Sequence, residues 1–133
     1  MNLALLSRRM AFAIIALFGA WIMNPLPVQA DTEVWDIQSS FPFQVELQFY
    51  SQDRNAVWPG GGKAFLLDDS KMHKFSLECK FGEKVCYGAW EVMTGNKTGR
   101  KYWGVGQNDG RHCTSCCWTC GLKGEPRAIN LVR

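Results

Sequence analysis

The chain has 133 residues, six of them cysteine, and carries 15 Lys and Arg against 12 Asp and Glu. Arg8 and Arg9 lie in an N-terminal leader, so the rest of the chain is almost neutral, which argues against nucleic acid or an anionic membrane as its partner. A chain of this length, without repeats or a long linker, is expected to form one domain with one core.

The first residues have the order of a secretory signal peptide. A basic pair precedes the apolar run 10–23, which is shorter than the roughly 20 residues that a membrane-spanning helix needs. Val28 and Ala30 are small residues at the minus-three and minus-one positions that a signal peptidase recognises. We therefore predict a cleavable signal peptide over residues 1–30 and one secreted or periplasmic domain over 31–133, with no stable membrane span after cleavage.

The first predicted strand follows in residues 43–50. Apolar side chains occupy the odd positions and polar side chains most of the even ones, which is the period of a half-buried strand. The polar segment 51–62, which ends in three glycines, is predicted as a loop. A short apolar run at 64–67 and a turn at 68–70 come next.

The stretch 73–92 is predicted as a β-hairpin. Two runs of alternating side chains flank a turn at Gly82, and folding them about that turn places Cys79 opposite Cys86. We therefore predict a disulfide between Cys79 and Cys86, and a core face that includes Trp90.

The remaining elements are also short. A turn at 94–99 contains the possible glycosylation acceptor Asn96, a glycine-spaced strand is predicted at 102–106, and a final strand at 128–132 is expected to cover a sheet edge. The exported part shows no convincing helical period. The predicted fold is all-β: a small disulfide-stabilised antiparallel β-sandwich or barrel of about six strands.

Four cysteines lie within eight residues near the C-terminus: Cys113, Cys116, Cys117 and Cys120. Together with Cys79 and Cys86 they make an even count, which in an exported domain predicts disulfides. Cys116 and Cys117 are adjacent, and a bond between neighbours distorts the peptide, so each is expected to have another partner.

Two alternatives remain for this cysteine cluster. A zinc site has suitable thiolate ligands, but tetrathiolate sites usually draw two Cys-x-x-Cys turns from separate stretches of chain. A thiol redox centre has the right Cys-x-x-Cys spacing, and Arg111 and His112 precede Cys113, but the βαβ context of such motifs is missing. We predict no metal and no cofactor.

No motif of a known catalytic class is present, and we assign no catalytic residue. His73 begins an alternating strand and is interpreted as a strand-end residue. The carboxylates lie in turns and loops, so their spacing does not pair an acid with a base. An enzyme is therefore the less favoured interpretation, although a small secreted hydrolase stays open as an alternative.

Aromatic residues indicate a binding function instead. Trp58 lies in a loop rich in Pro and Gly, where exposed rings can stack on sugars or peptide groups. Our leading hypothesis is an exported binding or interaction module for a protein or glycan ligand. The candidate contact residues are Asp53, Arg54, Asn55, Trp58 and Tyr102.

Overall fold

The computed structural model describes residues 24–93, 101–107, 110–113, 115–122, 124 and 127–132. The apolar run 10–23 and the turn 94–99, with Asn96, lie outside this set. The described residues are all-β, without a helix, and so contain no helix able to cross a membrane. Their strands are β1 (Ala30–Ser39), β2 (Val45–Ser51), β3 (Val57–Trp58), β4 (Phe65–Leu67), β5 (His73–Lys80), β6 (Lys84–Glu91), β7 (Tyr102–Gly104), β8 (Cys117–Thr119) and β9 (Arg127–Leu131).

The strands form two sheets. The smaller one has the order β5-β1-β9, in which β1 pairs antiparallel with β5 and parallel with β9. The larger one has the order β3-β2-β6-β7, with β4 also pairing with β2 and β8 with β6. Neither sheet closes on itself in the described part of the chain, so the barrel alternative is wrong there. The prediction of about six strands was too low, and it missed the parallel pair.

One core lies where the side chains of the two sheets meet. Trp35 of β1 is fully buried, and its ring centroid lies 5.2 Å from that of Phe49, 6.1 Å from that of Tyr87 and 4.6 Å from that of Trp118. The alternation predicted for β2 is confirmed, because its odd-numbered side chains are fully buried: Val45, Leu47 and Phe49. The even-numbered side chains of β2 therefore project from the outer face of the larger sheet, away from the core.

The predicted hairpin over 73–92 is wrong, although both of its strands exist. β5 pairs with β1, and β6 pairs with β2, so the turn at Gly82 carries the chain from one sheet to the other. Trp90 consequently lies on the outer face of β6, opposite Glu46, and its indole N–H donates to the Glu46 carboxylate over 2.6 Å.

Three disulfides join all six cysteines: Cys79–Cys120, Cys86–Cys117 and Cys113–Cys116. The predicted Cys79–Cys86 bond is wrong because β5 and β6 belong to different sheets, so the two cysteines are not opposed and each bonds another cysteine. Cys116 and Cys117 do have different partners, as predicted. Disulfides of this number are characteristic of an oxidising compartment.

The three bonds differ in the length of chain that they close. Cys79–Cys120 and Cys86–Cys117 join residues 41 and 31 positions apart, whereas Cys113–Cys116 joins residues 3 apart. On the chain-entropy estimate each long loop contributes about 4 kcal/mol to stability and the short one about 2 kcal/mol. The two long-range bonds therefore carry most of the covalent stabilisation.

Candidate functional site

A groove with a volume of about 870 Å³ opens beside the outer face of β2. The segment 54–62, which connects β2 to β4 and contains β3, forms one wall, and we call the cavity the 54–62 groove. Beside the small and apolar residues 56, 57 and 59–62, the lining has aromatic, amide and charged side chains: Tyr50, Trp58, Gln48, Asn55, Gln107, Arg54 and Glu78.

Hydrogen bonds from backbone N–H groups to side-chain oxygens hold the start of this wall in place. The buried Ser51 hydroxyl accepts from the N–H groups of Asp53 and Arg54 over 3.2 and 3.1 Å. The Asp53 carboxylate accepts from the N–H of Lys84 over 2.6 Å. Asp53 therefore ties the loop to β6 and does not line the groove, so its part in the structure is to position the loop.

Arg54 is paired within the protein. Its guanidinium donates to both carboxylate oxygens of Glu83, over 2.6 and 3.3 Å, and lies 5.6 Å from the centroid of the Trp58 ring. Burial of Glu83 pushes its pKa upward, but hydrogen bonds from Arg54 and the Lys80 N–H outweigh burial and hold this pKa below its ordinary value. Arg54 thus orders the wall beside Trp58.

Three amide side chains also line the groove: Gln48, Asn55 and Gln107. Gln107 donates from Nε2 to Asn55 Oδ1 over 2.9 Å, which joins the loop after β7 to the wall. Gln48 donates from Nε2 to the Lys63 carbonyl over 2.6 Å and accepts from the Tyr50 hydroxyl over 2.6 Å. Each primary amide carries two N–H donors and an oxygen with two lone pairs, so one such bond leaves capacity for a ligand.

Trp58 is half-buried rather than fully exposed. It packs against the core and also lines the groove. Its position follows from β3, where it pairs with Phe49 at the edge of the larger sheet. Trp58 therefore contributes both to stability and to the surface that a ligand would meet.

Tyr102 lies on the same outer face but outside the groove lining. Its ring stacks on Trp90 with centroids 6.4 Å apart, and the Arg111 guanidinium lies 3.7 Å from its centroid. A Cβ placed on Gly88 would lie 2.5 Å from the Tyr102 hydroxyl and 3.0 Å from a ring carbon of Tyr50. Gly88 thus lets Tyr102 lie beside Tyr50, at the margin of the 54–62 groove.

The structure brings together three of the five predicted contact residues in the groove: Arg54, Asn55 and Trp58. Sequence reasoning missed Gln48, Tyr50 and Gln107. Gln48 and Tyr50 had a usable signal, because the even positions of an alternating strand face away from the core. Gln107 had none, since its place depends on how the loop after β7 crosses the sheet.

Two pairs of ionisable groups away from the groove have shifted pKa values. Burial raises the pKa of Glu33, and the guanidinium of Arg127, 3.7 Å away, opposes this shift. A hydrogen bond from His73, over 2.6 Å, lowers the pKa of Asp69. Neither pair lines the 54–62 groove, and Glu78 is the one carboxylate among the described residues of its lining.

A zinc site at the cysteine cluster conflicts with the structure, because every cysteine is in a disulfide. Among the described residues, no group of three or more His, Cys, Asp or Glu side chains is arranged to hold a metal ion. Comparison of the chain with protein-family models, with curated proteins and with solved structures finds no match.

Proposed function

We propose that residues 31–133 form an exported binding module that takes a neutral, hydroxyl-rich ligand, such as a glycan segment, in the 54–62 groove. The lining of this groove carries the proposal. Aromatic rings offer apolar faces for sugar rings, and side-chain amides offer both donors and acceptors for hydroxyl groups.

The charge of the groove supports a neutral ligand. Arg54 has its charge compensated by Glu83, which is almost fully buried behind it. Glu78 adds a single exposed carboxylate at the rim. A strongly anionic or cationic ligand would meet no cluster of opposite charge here, whereas an uncharged one would leave the existing pair intact.

Export is the second part of the proposal. The basic pair followed by an apolar run, the small residues Val28 and Ala30, and the three disulfides all support a secreted or periplasmic domain. Cleavage after Ala30 would remove one residue of β1 and keep its pairing with β5 from Asp31 onward. We further infer that the two sheets stack as a sandwich around their shared core.

Glycan binding can be tested with two pairs of matched variants. The processed domain is applied to an array of neutral oligosaccharides, and affinities for the best ligand are then measured by titration calorimetry. We expect Asn55→Ala and Gln107→Ala each to weaken binding about five- to tenfold, as the loss of one hydrogen bond implies. Gln38→Ala and Asn130→Ala change the same residue types on the smaller sheet, where they pair across β1 and β9, and should bind as the wild type does.

Two results would contradict the proposal. One is an array on which no neutral oligosaccharide binds while an unrelated peptide library does. The other is a ligand that the Asn55 and Gln107 variants bind as tightly as the control variants, which would place its site elsewhere.

A further inference from the structure

The Cys113–Cys116 disulfide differs from the other two in what it holds together. Cys79–Cys120 links β5 of the smaller sheet to the residue that follows β8 of the larger one, and Cys86–Cys117 links directly opposed residues of β6 and β8. Cys113–Cys116 joins residues only 3 positions apart, just before β8. Opening it therefore releases little chain and leaves both sheets cross-linked.

The two sulfurs of this bond also differ in access. Cys116 is 1% exposed, and its carbonyl accepts from the Tyr87 N–H over 3.0 Å, which fixes it against β6. Cys113 is partly exposed and lines a second cavity of about 460 Å³, together with Lys84 and Arg111. The Cys86–Cys117 bond borders the same cavity, but Cys86 is fully buried and the bond joins paired strands. Cys113 is therefore the more accessible residue of the Cys113–Cys116 pair, although it also packs against the core, whereas Cys116 is shielded.

The charge of this second cavity favours thiol chemistry. A thiolate is the attacking species in disulfide exchange, and nearby cations stabilise it. Lys84 and Arg111 contribute two such charges on the same lining as Cys113, and His112 lies beside them. This cavity includes Cys86 and Cys117, which are paired between β6 and β8, and it shares no lining residue with the 54–62 groove.

We propose that Cys113–Cys116 is a thiol–disulfide exchange site for a partner polypeptide with two cysteine thiols. One partner thiolate attacks Cys113 Sγ, the Cys113–Cys116 bond breaks, and Cys116 leaves as a thiolate that takes up a proton. The second partner thiolate then attacks the partner's sulfur in the mixed disulfide and releases Cys113. The domain gains two electrons and two protons, and the partner is left with one disulfide.

The exchange site is tested first on the wild-type protein. The processed, oxidised domain is treated with a limiting dithiol peptide, free thiols are alkylated, and the labelled cysteines are located by mass spectrometry. We expect Cys113 and Cys116 to be labelled about tenfold faster than the other four cysteines. Labelling that begins at Cys86 and Cys117, or at all six cysteines together, would overturn the proposal.

Single variants test the difference between the two sulfurs. Cys116→Ser leaves the thiol of Cys113, which should form a mixed disulfide with glutathione disulfide. Cys113→Ser leaves the thiol of Cys116, which should react about tenfold more slowly because it is buried. Equal rates would contradict the assigned roles. Circular dichroism and the mass of the two remaining disulfides show whether each variant is folded, and binding to the 54–62 groove is scored separately.

Discussion

At position 88 there is room for a hydrogen atom and for no larger side chain. A Cβ there would lie 2.5 Å from the Tyr102 hydroxyl, 2.8 Å from the Val105 carbonyl oxygen and 3.0 Å from Tyr50. Two of these contacts are with tyrosine side chains and the third is with the backbone. An added Cβ could therefore be accommodated only if the loop after β7 moved. The absence of a side chain at Gly88 therefore allows Tyr102 and Tyr50 to pack against β6 at the margin of the 54–62 groove.

Gly88→Ala should accordingly destabilise the domain by about 1–3 kcal/mol, the usual cost of an overpacked site. Gly124→Ala is a suitable control, because a Cβ there would meet only the end of the Arg127 side chain, at 3.4 Å. Urea unfolding followed by tryptophan fluorescence measures both. A Gly88 variant as stable as the Gly124 variant would show that Tyr102 does not lie over β6 as described.

The ion pair between Arg54 and Glu83 makes the stability of the fold depend on pH. The pKa of Glu83 lies below its ordinary value of 4.5 in the folded protein, so the unfolded chain binds a proton more readily. The pair therefore stabilises the fold above this value, and the contribution is lost as the pH falls through the folded-state pKa.

Replacing Glu83 should remove this response. Between about pH 7 and pH 3 the wild type should lose about 1 kcal/mol more stability than Glu83→Gln, a small value because Arg54 is partly exposed to solvent. Urea titrations at several pH values measure the difference. Arg54→Met leaves Glu83 buried without its ion-pair partner, so the pKa of Glu83 should rise and acid should destabilise this variant less than the wild type. An unchanged profile in both variants would mean that the pair does not form in solution.

Alternation along a strand predicts which side chains are buried, but not which strand lies beside it. The burial of Val45, Leu47 and Phe49 in β2 was predicted correctly. The prediction of a β5–β6 hairpin was wrong because the pattern is ambiguous. Two strands that face each other across a core bury the same alternate residues as two neighbouring strands in one sheet. The turn between them is held by Glu83, whose burial depends on Arg54, and no local pattern shows that contact.

The longest strand was overlooked for a related reason. β1 has buried side chains at Glu33, Trp35, Ile37 and Ser39, of which only two are apolar, so the periodic signal is weak. Glu33 is buried beside Arg127 from the far end of the domain. A charged residue on the core face obscures the alternation of apolar and polar residues unless its distant partner is known. The contribution of Gln107 to the groove likewise depends on a residue far away in the sequence, Asn55.

The molecule as a whole depends on one covalent link between its two sheets in the described part of the chain, Cys79–Cys120. Removing it with Cys79→Ala and Cys120→Ala should lower the free energy of unfolding by about 4 kcal/mol. Domains of this size are typically stable by about 5–15 kcal/mol, so this bond should account for a large share of the total stability.

Chemical denaturation of the double variant measures this loss. The matched control, Cys113→Ala with Cys116→Ala, removes the local bond and should lose about 2 kcal/mol. If the two double variants were equally stable, the sheets would be held together by their apolar contacts, and the inter-sheet bond would add nothing beyond a local one.

β1 lies between β5 and β9, and its partner on one side is the last strand of the fold. During synthesis the second edge of β1 stays uncovered until β9 has been made. Pairings between strands so far apart in sequence form slowly. Under the proposed export route this delay is useful, because the polypeptide stays unfolded during translocation. The final pairing of β9 then takes place where cysteines can be oxidised.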